Sequence, residues 1–200
     1  MNNTPIFYTS KQQEQLTDAI EENYGAGSGY IAHENKSEYV HTDILIVGND
    51  GEEKTFATFG MSARAQKSTL PQFDNIELVM TASEDVNMMT DGFGVVCTEL
   101  CNISKYPFAN DTWLGMGHTI GASKKLKEKF GYEAYIVFGA LFSADVDDVG
   151  EVRFLQLVPI YNDEREWIME NGTFEYLEAY LQKFDELHLH IDRPRDHFIP

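Results

Sequence analysis

Two pairs of apolar runs, each pair broken by a short polar turn, constrain most tightly what this 200-residue chain can fold into. In the first pair, Val40 to Val47 and Lys54 to Met61 flank Asn49-Asp50-Gly51. An Asp-Gly step supplies the positive φ angles of a tight turn, so the two runs predict a β-hairpin. In the second pair, Glu133 to Phe142 and Glu151 to Tyr161 flank the acidic turn Asp145-Val146-Asp147-Asp148-Val149-Gly150. Between the pairs, Ile76 to Met80 (IELVM) is apolar with few breaks and predicts a central strand.

Helical signals lie between and outside these runs. Ser10-Lys11-Gln12-Gln13 resembles a capping box, so a polar helix is expected to about Tyr24, stopped by Gly25, Gly27 and Gly29. Phe93, Val96, Cys97, Leu100 and Ile103 recur at helical spacing and predict a helix from Asp91 to about Tyr106. Trp113 to Gly121 reads as a glycine-rich loop. Asn162 or Asp163 caps a short acidic helix ending at Asn171-Gly172. Thr173 then caps a last helix with Phe174, Leu177, Leu181, Phe184 and Leu187 on one face. Strands that cluster in adjacent pairs, with helices at the ends and between, predict an α+β fold: a mixed, largely antiparallel sheet flanked by helices. Residues 1–35 read as an N-terminal helix and glycine-rich loop, and 36–200 as the main domain of one compact unit.

Charge narrows the partners. Asp and Glu number 33 against 15 Lys and Arg, a formal net charge of -18. Nucleic acid is bound through Lys/Arg clusters, so this surface repels it, and it repels anionic lipid headgroups too. A basic protein or a cation is attracted. Cys97 and Cys101 lie four apart in an apolar run with no second Cys pair, and read as small buried hydrophobes in a reducing compartment. No basic leader and no apolar run near ~20 residues is present, so the expectation is a cytoplasmic protein with no membrane contact.

Chemistry-bearing constellations are few. His188, His190 and Asp192 alternate and would share one side of a strand, a ligand type suited to zinc or iron. They are read here as a polar C-terminal segment, with a metal-dependent enzyme as the alternative. Asp43 is the odd charge in an apolar strand, shares a face with His41, and is expected to be paired. Asp145, Asp147 and Gly150 imitate part of a calcium loop, but Val149 and Gln156 stand where oxygen ligands are needed. Ser62, Ser123 and Ser143 lack a nucleophile-elbow context. No catalytic set and no cofactor motif emerges, and the expectation is a protein that is not an enzyme.

Several ordered pieces carry a family resemblance. They are His41-Thr42-Asp43-Ile44-Leu45; the Thr58-Phe59-Gly60-Met61-Ser62 stretch, similar to a "T-x-G-M-S" pattern; Phe73 to Met80, similar to an "E-L-x-M" strand; Gly117-His118-Thr119; and Phe154 to Tyr161 followed by Glu164-Arg165-Glu166 and Gly172. In this order they resemble the suppressor-of-fused (SUFU) domain family from about Tyr39 to Leu181. The resemblance implies a binding module with no shared catalytic residues. The animal member sequesters a transcription factor, and bacterial relatives are similar to immunity proteins that neutralise toxins, often nucleases. The short chain looks more like the bacterial class. A basic toxin domain is therefore the expected partner, with a non-toxin cellular protein as the alternative. The expected contacts are Asp145, Asp147, Asp148 and Glu151 in the turn, and Asp163, Glu164, Glu166 and Glu170 on the following helix. Trp113 is a candidate anchor, since tryptophan is enriched at binding hot spots, and Trp167 is expected to pack its helix on the sheet.

Overall fold

A computed structural model describes residues 4–25, 30–33, 38–49, 52–86, 91–183, 190–191 and 198–200. Among these residues seven strands form one sheet: β1 (Tyr30–Ala32), β2 (Asp43–Val47), β3 (Lys54–Phe59), β4 (Ile76–Ala82), β5 (Thr119–Gly121), β6 (Ala134–Val146) and β7 (Gly150–Ile160). Five α-helices accompany them: α1 (Ser10–Tyr24), α2 (Asp91–Asn110), α3 (Lys124–Phe130), α4 (Asn162–Asn171) and α5 (Thr173–Lys183). The strand order is β1-β2-β3-β4-β7-β6-β5. All neighbours run antiparallel except β4 and β7, whose parallel pairing joins Ile76–Val79 to Arg153–Gln156. The fold is the predicted α+β class, with both predicted hairpins present and β4 at the centre.

Side-chain alternation along the strands sorts the core into layers. Ile44, Ile46, Phe56, Leu78, Met80, Tyr135, Val137, Leu155 and Leu157 pack toward Val96, Leu100 and Ile103 of α2. Their neighbours Leu45, Val47, Ala57, Phe59, Val79, Val152 and Phe154 face the other way, onto Leu16 and Ile20 of α1. Further along that second face, Ala134, Ile136, Phe138, Val158 and Ile160 are covered by Ile168, Tyr176, Leu177 and Tyr180 of α4 and α5. Helices on both faces explain why β2, β3 and β4 are buried at every position rather than alternately.

Backbone geometry at two turns shows what the sequence had to supply. Gly48 sits at φ 105, where a Cβ would lie 2.2 Å from the Glu53 carbonyl oxygen, so the first hairpin requires glycine there. Asp50 and Gly51, the predicted turn pair, lie outside the described residues. In the second hairpin Asp148 adopts φ 62 and Gly150 φ 90, and the Val149 N–H closes the turn on the Val146 carbonyl at 3.1 Å.

The structure corrects several local expectations. Thr9, not Ser10, caps α1: its hydroxyl accepts from the Gln12 N–H, and the Gln12 side chain accepts from the Thr9 N–H at 2.9 Å. The α4 cap is Tyr161 rather than Asn162 or Asp163, with the Glu164 carboxylate accepting from the Tyr161 N–H at 2.8 Å. Helix α2 runs past Tyr106 to Asn110 and carries Pro107. The loop expected over Trp113 to Gly121 ends in β5, and β1 and α3 appear where no regular element was expected. The buried face of α5 is Tyr176, Leu177 and Tyr180, while Phe174 and Leu181 of the predicted stripe face solvent. Phe184 and Leu187 lie outside the described residues.

Candidate functional site

Two of the pieces that carry the family resemblance meet in the core. Glu77, the acid of the "E-L-x-M" strand, is fully buried. Its carboxylate accepts from Thr58 Oγ1 (2.6 Å), Ser62 Oγ (2.6 Å) and the N–H groups of Gly60 (3.0 Å), Met61 (3.2 Å) and Ser62 (3.0 Å). The "T-x-G-M-S" stretch is thus a cage of donors wrapped round one carboxylate. Gly60 is needed because φ is 123 there and a Cβ would lie 2.2 Å from the His41 carbonyl oxygen. Thr58 Oγ1 also accepts from the Leu78 N–H at 2.7 Å, and Tyr8 closes the cage on Ser62 Oγ at 2.5 Å. Burial pushes the Glu77 carboxyl above the ordinary carboxylate range, while the hydrogen bonds from Ser62, Thr58 and Gly60 pull against it. With Ser62 itself buried, the cluster ties the Gly60–Ser62 turn to β4.

A second buried acid faces a groove. Glu99 of α2 is 2% exposed and accepts from the Ser123 N–H at 2.8 Å. Beside it a cavity of about 310 Å³ opens between α2 and the edge strand β5, lined by Glu99, Asn102, Ile103, Tyr106, Ile120 and Ser123. Below it, burial raises the Tyr135 hydroxyl pKa well above its usual value, and the Glu99 charge adds to the rise. This arrangement can take an apolar group with a cationic end. It was not singled out from the sequence, yet a signal existed: Glu99 is an acid on the same helical face as Val96 and Ile103.

The acidic residues expected to contact a partner fall at two separate places. The turn with Asp145, Asp147, Asp148 and Glu151 lies at the far end of the β6–β7 hairpin. Helix α4, with Asp163, Glu166 and Glu170, follows the other end, 11 residues or on the order of 35 Å along β7. Asp145 and Asp148 are exposed. Asp147 is tied to α1 by an ion pair with Lys11, while Gln15 donates to its carboxylate at 3.0 Å and Gln12 to its carbonyl at 2.7 Å. Glu151 pairs with Arg153 at 3.1 Å. Hydrogen bonds from Arg153 and Ser143 hold its carboxyl below the ordinary range.

On α4, Glu166 and Glu170 are exposed and Asp163 is half-buried. Glu164 is a correction: it is fully buried and accepts from the N–H groups of Tyr161 (2.8 Å) and Phe198 (2.9 Å), so it cannot touch a partner. Trp113 is half-buried between Phe73 (ring centroids 6.0 Å apart) and His118 (4.2 Å). Trp167 packs on the α4–α5 side of the sheet beside Tyr176, as expected.

The Asp147 clasp has a pH signature. Hydrogen bonding from Lys11, then from Gln15, lowers the Asp147 carboxyl below its unfolded value. Its contribution is therefore present above the unfolded pKa and is lost as pH falls through the folded one. The pair is fully exposed, so salt also weakens it. Amide exchange along α1 is expected to be faster in Lys11→Ala than in the parent at neutral pH and low salt, and the difference is expected to vanish in acid or in high salt.

Asp43 is paired, as expected, with His33 Nδ1 at 3.0 Å and His41 Nε2 at 3.1 Å. His190 lies 3.3 Å from Glu53 and bridges to Thr81, whereas His188 and Asp192 lie outside the described residues. Among the described residues no group of three or more His, Cys, Asp or Glu side chains is placed to hold a metal ion. Cys97 is buried and Cys101 half-buried, and neither forms a disulfide among the described residues. Burial pushes the Cys97 thiol up to about 12, which leaves it unreactive. No described helix is long and apolar enough to cross a membrane.

Comparison with known proteins rests on this geometry. Residues 38–194 match the family model described as Suppressor of fused protein. A solved structure of a suppressor-of-fused homolog from Neisseria gonorrhoeae is similar, with TM-score 0.66 and 12% identity, over 96% of this chain and 100% of that one. The Sufu–Fu complex contains a chain similar at TM-score 0.65 and 16% identity, over 94% of this chain and 92% of that one. Drosophila Suppressor of Fused matches at TM-score 0.60 and 15% identity, over 96% of this chain but 51% of its own. No curated protein matches the sequence. At these identities the structural likeness speaks for the fold.

Proposed function

The chain belongs to the suppressor-of-fused family, and from that premise we propose that it is a cytoplasmic binding protein, not an enzyme, that neutralises a cognate basic toxin by covering the toxin's active site. The observation that carries this reading is the net charge of -18, with exposed carboxylates at both ends of the long hairpin. A toxin that cleaves nucleic acid must present a basic groove to phosphate. An acidic protein covers such a groove and is steered to it electrostatically, which raises the association rate. Two thiols outside any disulfide accord with a reducing compartment, where such a toxin would act.

A second reading, a regulatory module that sequesters a non-toxin protein, is favoured by one finding: a similarly folded chain occurs in the Sufu–Fu complex. Co-expression with the product of the adjacent gene, scored by survival and co-purification, separates the two. Rescue together with a stable complex is expected. A stable complex with a product that is harmless on its own would favour the regulatory reading. Neither rescue nor complex would remove the toxin partner.

A further inference from the structure

We infer that the outer face of the α4–α5 helical pair docks a cationic amphipathic helix of a partner protein. The inference rests on the binding-protein reading above, but not on the partner being a toxin. The two most exposed large apolar side chains among the described residues are both here: Met169 on α4, 74% exposed, and Phe174 on α5, 65% exposed. Leu181 is half exposed. Phe174 and Leu181 are seven apart, so they lie on one stripe of α5 with Glu178 between them. Tyr176, Leu177 and Tyr180 already fill the core side of that helix, so Phe174 and Leu181 have no inward role.

The apolar area continues onto the neighbouring loop. The Phe174 ring tip would lie 3.9 Å from a Cβ at Gly117, next in sequence to the exposed Met116, so the α5 stripe reaches that loop. Exposed large apolar side chains on two successive helices, two of them on one stripe of α5, mark an interaction site rather than the scattered exposure of an ordinary surface.

Charge selects the occupant. Glu166, Glu170, Glu175 and Glu178 are exposed around this face, against the cations Arg165 and Lys183. A second copy of the chain would bring like charges together, and anionic headgroups would be repelled. A helix with apolar side chains every three to four residues and Lys or Arg on its flanks satisfies both the stripe and the rim.

The test uses the full chain and a labelled Leu/Lys amphipathic peptide of about 18 residues, long enough to hold a helix. Phe174→Ser/Leu181→Ser is expected to weaken peptide binding roughly tenfold or more, as loss of apolar anchors does, with the melting temperature unchanged. Glu84→Gln/Asp85→Asn, which removes exposed charge from the turn after β4, is expected to leave binding within roughly twofold, as for screened surface charges. Equal binding by the parent and the serine variant would overturn the inference. So would a parent dimer, seen by sedimentation, that the serine substitutions abolish, since the occupant would then be a second copy. Toxin rescue is scored separately: rescue kept by the serine variant, with peptide binding also unchanged, would leave the toxin reading intact and remove this surface. Peptide binding lost by the serine variant, with no rescue by the parent, would do the reverse.

Discussion

Replacing Glu77 with alanine is expected to lower the unfolding free energy by about 4 kcal/mol, read from chemical denaturation. The substitution leaves three backbone N–H groups, those of Gly60, Met61 and Ser62, without their acceptor in a fully buried place. Each stranded buried donor costs about 1–3 kcal/mol, and water entering the space left by the side chain would offset part of that. The Thr58 and Ser62 hydroxyls can turn to other acceptors and add less. Glu77→Gln keeps one acceptor oxygen but aims an amide N–H₂ at the other donors, so an intermediate loss of about 2 kcal/mol is expected. A loss under about 1 kcal/mol for the alanine variant would show that the cage does not hold the Gly60–Ser62 turn in place.

The second large effect is expected at Glu164. Alanine there frees the N–H groups of Tyr161 and Phe198, one at the start of α4 and one three residues from the C-terminus. Phe198 is part of the cluster with Tyr176 and Tyr180, so releasing its backbone also loosens that packing. A loss of about 3 kcal/mol is expected. Glu166→Ala and Glu170→Ala, on the exposed side of the same helix, are expected to stay within about 0.5 kcal/mol of the parent. The contrast separates stability from binding: a complex weakened by Glu164→Ala with a lowered melting temperature says nothing about contact, whereas one weakened by Glu166→Ala at an unchanged melting temperature does.

Elements that announce themselves by local chemistry were legible. Both hairpins, the central strand and α2 follow from apolar runs and turn residues, because the turns demand residue types that the sequence displays. The short pieces were not. β1, β5 and α3 are three, three and seven residues long, too short for a periodic pattern to show, and β1 and β5 exist because a neighbouring strand offers them an edge. The same limit governs the site. Carboxylates could be counted but not sorted into caps and contacts, since whether an acid is caged depends on which distant donors reach it. Glu164 was read as surface because its helix is acidic, yet the residues that bury it include Phe198. Glu77 showed a usable sign, a charge inside the most apolar strand, which is costly unless fully hydrogen-bonded.

The parallel pairing of β4 with β7 has a consequence for how the chain reaches this state. Hairpin contacts close short loops, so β2–β3 and β6–β7 can form early and independently. The seam between β4 and β7 joins Ile76–Val79 to partners roughly 75 residues away in sequence, and the chain entropy lost in closing that span must be given up before the contact returns anything. The seam is the slowest of the strand pairings to close on loop entropy alone, and until it closes β4 and β7 each show an open strand edge to solvent. The complete sheet that carries α1, α4 and α5 is thus available only after its most distant contact has formed.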